Sequence, residues 1–157
     1  MDQIQFQKIA PVVNVTDLDA AMDRYRRLGF VLEVDEGARY GFADRGAVSL
    51  HLAESDDADP ERAGCVVYIY VSDADALHAE WSAAGVEGRF TGPHNTPYGL
   101  REFVFTDPDG TVHRVGSPLP GTQWPTRSAP RAGYRRRWRC ERRHASVVSA
   151  DRFCMIT

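Results

Sequence analysis

In the first three quarters of the chain, hydrophobic and polar positions follow a strand-helix-strand pattern that occurs twice. An apolar strand over residues 9–15 precedes a segment in which Leu18, Met22 and Tyr25 recur at spacings of three and four. That period predicts a helix with one buried stripe. A second strand, residues 66–71, precedes a second helical period. Three further strands are predicted after each helix, at about 30–35, 38–44 and 47–53, and at about 87–91, 101–106 and 111–117.

The two strand-helix-strand patterns are similar in sequence. Residues 15–20 (VTDLDA) align with residues 71–76 (VSDADA) at an offset of 56. The same offset pairs Tyr25 with Trp81 and Gly29 with Gly85. A repeat at a fixed offset indicates duplicated structure. The pattern therefore predicts an α+β domain built from two tandem βαβββ modules.

Local chemistry sets the ends of both helices. The Thr16 and Ser72 hydroxyls are predicted N-caps, with an aspartate three positions later. Gly29 and Gly85 stand where a glycine ends a helix. The predicted domain covers residues 1–118, as module one (6–53), a linker (54–64) and module two (65–117).

The charge distribution separates this domain from the rest of the chain. Residues 1–120 hold 10 Lys and Arg against 20 Asp and Glu, a net charge of −10. Residues 121–157 hold 9 Arg against 2 acidic residues, a net charge of +7. Residues 119–157 are accordingly predicted to be a disordered, Arg-rich tail. An altered reading frame near the end of the gene is the other explanation of that composition.

Composition excludes several classes of protein. No apolar run approaches 18 residues, so no membrane span is predicted. Residues 1–6 lack a signal-peptide pattern, and the 3 cysteines fit neither a disulfide framework nor a zinc site. We therefore expect a cytoplasmic location and no cofactor.

Four stretches give the domain a family resemblance: residues 10–17 (APVVNVTD), 27–30 (RLGF), 75–81 (DALHAEW) and 97–110 (PYGLREFVFTDPDG). Together they resemble the vicinal oxygen chelate superfamily of glyoxalase I, extradiol dioxygenases and bleomycin-resistance proteins, and most closely its bleomycin-resistance branch. The resemblance covers about residues 6–117.

The resemblance implies an architecture. Two modules line one curled cup, and the protein is a homodimer that exchanges its first strand, hooked by a proline. Pro11 stands at the matching position. An edge-strand proline would account for the same residue, because an edge need not donate a ladder hydrogen bond.

The resemblance also locates the metal positions of the superfamily. In this chain Ala10, Val66 and Arg114 occupy them, and none of these side chains can bind a divalent cation. His51 stands near a fourth position, and His113 lies one residue from the last, on the other face of its strand. A shift of register by one residue would make a site from His51 and His113. We predict that no metal is bound.

Strand alternation then predicts the residues that line the cup and contact a small-molecule ligand. The predicted ligand-binding residues are Tyr40, Phe42, His51, Tyr68, Tyr70, Tyr98, Arg101 and Arg114. Packing in the core is the other role open to Tyr68 and Tyr70. Arg101 and its neighbour Glu102 must point to opposite faces, and Glu102 is assigned to a structural ion pair.

The leading hypothesis is metal-independent binding and sequestration of a bleomycin-type antibiotic or a related natural product or peptide. Its rival is a metal-dependent lyase, isomerase or dioxygenase of the same superfamily. A third hypothesis makes the basic tail a nucleic-acid or anionic-membrane arm. It is disfavoured against a solvated extension, so neither nucleic acid nor membrane is expected as a partner.

Overall fold

Each of the two repeated sequence patterns folds into one sheet and one helix. The computed structural model describes residues 4, 7–35, 37, 39–59 and 65–122. Module one consists of β1 (Val12–Val15), α1 (Leu18–Arg27), β2 (Val31–Val34), β3 (Tyr40–Arg45) and β4 (Val48–Glu54). Its four strands lie in the order β1-β4-β3-β2.

Module two repeats this arrangement with one additional short strand. It consists of β5 (Val66–Tyr70), α2 (Ala74–Ala83), β6 (Arg89–Phe90), β7 (His94–Asn95), β8 (Leu100–Thr106) and β9 (Val112–Pro118). The order is β5-β9-β8-β6, and β7 also pairs with β8. β7 lies between the strands predicted at about 87–91 and 101–106, where the sequence pattern predicted no strand.

The first strand of each module pairs in parallel with the last. Val12 lies beside His51 in module one, and Val66 lies beside Val112 in module two. The other strand pairs are antiparallel. The chain is therefore an α+β fold with two mixed sheets, as the duplicated pattern predicted.

Both helices begin one residue later than predicted. The N-caps are Asp17 and Asp73, whose carboxylates accept hydrogen bonds from the backbone three residues on. The prediction of Thr16 was wrong because its hydroxyl donates instead to Asp109 Oδ1, at 2.7 Å. Gly29 closes the first helix with a φ of +83°, a backbone conformation that glycine adopts without strain.

One hydrophobic core is shared by the two modules. Tyr25 of α1 packs edge-on against Phe30, and Phe30 contacts Trp81 of α2. Trp81 Nε1 donates a hydrogen bond to the carbonyl of Leu28 at 3.1 Å, so the indole fills the core with its only polar group satisfied. These contacts join the modules through the sides of their sheets that carry the helices.

A buried ion pair adds a polar connection between the modules. Arg24 of α1 reaches Asp109, in the turn before β9, with Nη1 and Oδ2 2.7 Å apart. The second oxygen of that carboxylate accepts from the backbone and hydroxyl of Thr16. Both carboxylate oxygens of Asp109 thus bind groups of module one, and these contacts hold α1 to module two.

The ends of the domain differ in part from the sequence expectations. β1 begins at Val12 rather than at Ile9, whose side chain is exposed. The compact unit runs from Met1 to Pro125. The predicted disordered tail lies, from residue 123 onward, outside the described residues. No helix in the described part of the chain is long and apolar enough to cross a membrane.

Candidate functional site

Each sheet has one face packed on the helices and the core, and a second face, here called the open face. Strand register defines its members, because residues opposite one another in a ladder point the same way. The open face of module one includes Val12, Asn14, Tyr40, Phe42 and His51. The open face of module two includes Val66, Tyr68, Tyr70, Glu102, Val104 and Arg114. Most of the residues predicted to line the cup lie on these two faces.

Three ring side chains cluster on the open face of module one. Tyr40 Oη lies 3.0 Å from His51 Nδ1, within hydrogen-bond distance. The Phe42 ring meets the imidazole edge-on, with centroids 4.8 Å apart. Tyr40 and Phe42 also contact each other edge-on. This aromatic trio (Tyr40, Phe42 and His51) is half-buried, so it offers ring edges and faces to a ligand.

A charged cluster occupies the open face of module two. Glu102 is only 2% exposed, and its Oε2 accepts hydrogen bonds from Tyr68 Oη at 2.6 Å and Tyr98 Oη at 2.8 Å. Its Oε1 accepts from Arg114 Nη2, also at 2.6 Å. Arg114 Nη2 donates to Tyr98 Oη as well, at 3.1 Å. Tyr68, Tyr98, Glu102 and Arg114 form what we call the Glu102 cluster.

The cluster keeps its carboxylate ionised. Burial by itself raises the pKa of Glu102, but the hydrogen bonds from Tyr68, Arg114 and Tyr98 outweigh burial and lower it below the ordinary value. Burial and the hydrogen bond to Glu102 raise the pKa of Tyr68. At neutral pH the cluster therefore holds one carboxylate, one guanidinium and two neutral phenols.

Gly116 makes room for this arrangement. It lies between Tyr70 and Glu102 in the ladder, under the phenol of Tyr68. A Cβ at this position would come within 2.5 Å of Tyr68 Oη. The missing side chain is what allows the phenol to lie across β9 and reach Glu102.

An apolar groove adjoins the cluster. It has a volume of about 430 Å³ and lies at the junction of the two modules. Its lining includes Ile9, Pro11, Val48, Val66, Tyr68 and Tyr70. The Pro11 carbonyl accepts a hydrogen bond from the backbone of His51 at 2.9 Å, and within this chain β1 pairs with the chain's own β4. Exchange of β1 between two copies stays a prediction.

Arg101 is separated from the other predicted ligand-binding residues. Its side chain lies on the side of β8 that carries α2, where Nη2 binds Asp75 Oδ1 at 2.9 Å and Nη1 donates to Asn95. Glu102 takes the open-face position instead. The assignment of Glu102 to an ion pair agrees with its contact to Arg114, but that pair lies on the open face.

The two histidines considered as metal ligands lie on different sides of the molecule. His51 is on the open face of module one. His113 is 1% exposed beneath the helices, with Nε2 3.3 Å from both Tyr25 Oη and Asp107 Oδ2. Its Nδ1 is buried with no hydrogen-bond partner among the described residues.

The residues at the superfamily metal positions do not fit a divalent cation. Ala10 and Val66 offer no donor atom, and Arg114 brings a positive charge. Glu102, the carboxylate that binds Arg114, is buried and already accepts three hydrogen bonds. Among the described residues no group of three or more His, Cys, Asp or Glu could hold a metal ion.

Comparison with known proteins places this fold. The sequence profile of the glyoxalase/bleomycin resistance protein/dioxygenase superfamily matches residues 5–114. The chain belongs to that superfamily.

Three individual proteins are similar to this member of the superfamily. An uncharacterised protein of Mycolicibacterium smegmatis is 34% identical over 94 residues, which are 60% of this chain and 79% of that protein. A bleomycin resistance determinant encoded on the transposon Tn5 has a TM-score of 0.66 at 20% identity, covering 72% of this chain and 98% of that one. An antibiotic-binding protein from Streptomyces sp. CB03234 has a TM-score of 0.60 at 27% identity, covering 74% and 99%.

Proposed function

We propose that this chain binds and sequesters a planar, aromatic antibiotic, of the bleomycin type or a related natural product, without a metal ion and without making bonds. The observation that carries the proposal is the pair of open faces, one with the aromatic trio and one with the Glu102 cluster. Aromatic side chains with a few fixed polar groups are the usual lining of a small-molecule site. The similarity to antibiotic-binding and bleomycin-resistance proteins supports the same proposal.

The chemistry of the metal positions argues for a binder over the rival metal-dependent enzyme. Tight sequestration needs only complementary surfaces, whereas the lyases, isomerases and dioxygenases of this superfamily need a cation to polarise their substrate. Arg114 stands at the position of the last ligand, and its guanidinium is held by Glu102. A cation placed there would meet a fixed positive charge.

A homodimer completes the proposed site. Ring contacts join the members of the aromatic trio to one another and join Tyr68 to Tyr70, so each open face carries an aromatic surface of its own. Each open face is thus half of a cup within one chain. Val12 and Val66 are exposed apolar residues on these faces, and burial against a second copy would remove them from water.

Titration of the purified protein with metal-free bleomycin tests the proposal. We expect saturable binding at micromolar concentrations or below, measured by calorimetry and by quenching of tyrosine and tryptophan fluorescence. Tyr70→Ala should weaken binding, whereas Ala79→Ser, on the exposed side of α2, should not. Absence of binding would exclude bleomycin. If other planar antibiotics also failed to bind, sequestration would be excluded too.

Sedimentation velocity tests the dimer separately. We expect Val66→Lys, which places a charge on the open face of module two, to shift the protein towards the monomer. Ala79→Lys adds the same charge on the outer surface of α2 and should leave the dimer intact. A wild-type protein that sediments as a monomer at every concentration would contradict the dimer.

A further inference from the structure

The Glu102 cluster presents hydrogen-bond donors, and no exposed carboxylate, to its surroundings. Glu102 is 2% exposed, and both of its oxygens already accept hydrogen bonds. The hydroxyl hydrogens of Tyr68 and Tyr98 point to that same carboxylate. Among the four side chains, Arg114 alone retains donor capacity, because Nη2 makes its contacts to Glu102 and Tyr98 while Nε and Nη1 have no partner among the described residues.

The guanidinium of Arg114 is also fixed in place. Its side chain is 41% exposed, so it is accessible, and it lies over the Tyr68 ring at 5.4 Å from the centroid. The ion pair to Glu102 and this cation–π contact together restrain a side chain that would be flexible on an ordinary surface. A donor that is already fixed before the ligand arrives loses less conformational entropy on binding than a mobile donor does.

Flat surfaces adjoin this donor. The rings of Tyr68 and Tyr70 are 4.6 Å apart, and about half of the Tyr70 surface is exposed. The plane of a guanidinium and the faces of tyrosines both accept a stacked aromatic ring. The arrangement therefore combines a platform for a planar ring with a positive donor at its edge.

We propose that Arg114 selects ligands whose planar ring system carries an anionic oxygen, as a carboxylate or an ionised phenol. The inference rests on the proposed function, because it names the chemistry of the ligand that the open face of module two takes. A preference for anions is opposite to the effect of the net charge of −10 on residues 1–120, which by itself would attract cations. Glu102 balances the charge of Arg114 but is buried, so a ligand on the open face meets the exposed guanidinium and not the carboxylate. At contact distance these charged donors outweigh the diffuse field, since screening by salt weakens distant charges much more than adjacent ones.

Three probes of one shape and different charge test this inference on the full chain. They are anthracene-2-carboxylate, anthracene-2-carboxamide and 2-(aminomethyl)anthracene, and fluorescence anisotropy gives the affinity of each. We expect the carboxylate to bind about tenfold more tightly than the amide, as one charged hydrogen bond allows, and the ammonium compound to bind most weakly.

The outcomes separate the inference from the proposed function. Equal binding of all three probes, or tightest binding of the ammonium compound, would overturn the inference and leave aromatic binding intact. No binding of any probe up to its solubility limit would overturn both. The comparison uses only the wild-type protein, so it does not depend on whether a variant folds.

Variants then assign the preference to Arg114. We expect Arg114→Gln to remove the advantage of the carboxylate over the amide, a change of about tenfold in their ratio, while Arg114→Lys retains part of it. Arg26→Gln removes the same charge from an exposed site on α1 and should leave the ratio unchanged. If Arg114→Gln kept the wild-type ratio with an unchanged thermal midpoint, Arg114 would not be the selecting residue.

Discussion

Tyr68 Oη donates a hydrogen bond to Glu102 Oε2 at 2.6 Å, and the phenol reaches that carboxylate across Gly116 of the intervening strand. A glycine in a central strand leaves space that another group can use. Here the space is filled by the side chain that carries the contact.

Replacing Gly116 by alanine should break this contact. The new methyl group would lie 2.5 Å from Tyr68 Oη, so the phenol must move away from Glu102. We expect a loss of about 1.5–3 kcal/mol in the free energy of unfolding, the value of one hydrogen bond to a charged group. Urea denaturation measures it.

Gly92→Ala is the matched control. Nothing lies within 4 Å of the Cβ that Gly92 would gain, so its effect should stay within about 0.5 kcal/mol. A Gly116→Ala protein as stable as the control would show that Tyr68 can reach Glu102 by another path.

Glu102 should make stability depend on acidity. Because its pKa in the folded protein is below the ordinary value of 4.5, the carboxylate stabilises the fold above that pH. This contribution is lost as the pH falls through the folded pKa, because the unfolded chain takes up its proton first.

The wild-type protein should therefore lose stability relative to Glu102→Gln on acidification. At neutral pH the variant should be less stable by about 1–3 kcal/mol, because its amide nitrogen is a donor where the site needs an acceptor. The difference should shrink as the pH falls below the ordinary carboxyl value of 4.5 and through the lower folded pKa. Chemical denaturation at several pH values checks this, and a constant difference would contradict it.

The ion pair between Arg24 and Asp109 should stabilise the contact between the modules. The two side chains are 10% and 2% exposed, so removal of the guanidinium leaves a buried carboxylate without its charge partner. We expect Arg24→Gln to cost about 3 kcal/mol. The midpoint of denaturation measures the loss.

Arg26→Gln provides the comparison two residues further along α1. Its partner Asp23 is as exposed as Arg26 itself, and such pairs contribute about 0.5 kcal/mol. Equal losses in the two variants would mean that the buried pair is no more important than a surface pair.

Removal of metal ions should leave ligand binding unchanged. The three positions at which relatives would bind a cation hold Ala10, Val66 and Arg114. We expect protein dialysed against a chelator to bind its ligand as untreated protein does, and elemental analysis to find no stoichiometric Zn, Ni, Mn or Fe. The result would favour the metal-dependent enzyme over the metal-independent binder if a bound metal were found, if its removal abolished ligand binding, and if its return restored binding.

The sequence was sufficient for features that depend on neighbours in the chain. The duplicated strand-helix rhythm and the glycines at positions 29 and 85 are local, so the modules and the helix ends could be predicted to within a few residues. The N-cap of α1 could not be predicted, because the Thr16 hydroxyl donates its hydrogen bond to Asp109, 93 positions away. A hydroxyl and a carboxylate side by side are equally good caps until such a distant partner is known.

The candidate site shows the same division. Alternation within β5 placed Tyr68 and Tyr70 on one face, as the structure does. For β8 alternation says only that Arg101 and Glu102 point to opposite faces, and the choice depends on register with β9. Because Val104 lies beside Arg114, Glu102 is on the face with Arg114, and Arg101 is left facing α2.

The parallel pairing of first and last strands also dictates the order in which the molecule can fold during synthesis. β9 is the last of the described strands to leave the ribosome, yet it forms the centre of its sheet, between β5 and β8. Until Val112–Pro118 has emerged, β5 lacks the strand that it pairs with and β8 is paired only with β6 and β7, and loop closure must span the whole module. A nascent chain that stops before Val112 therefore exposes two unpaired strand edges, which makes such truncated products candidates for aggregation and degradation.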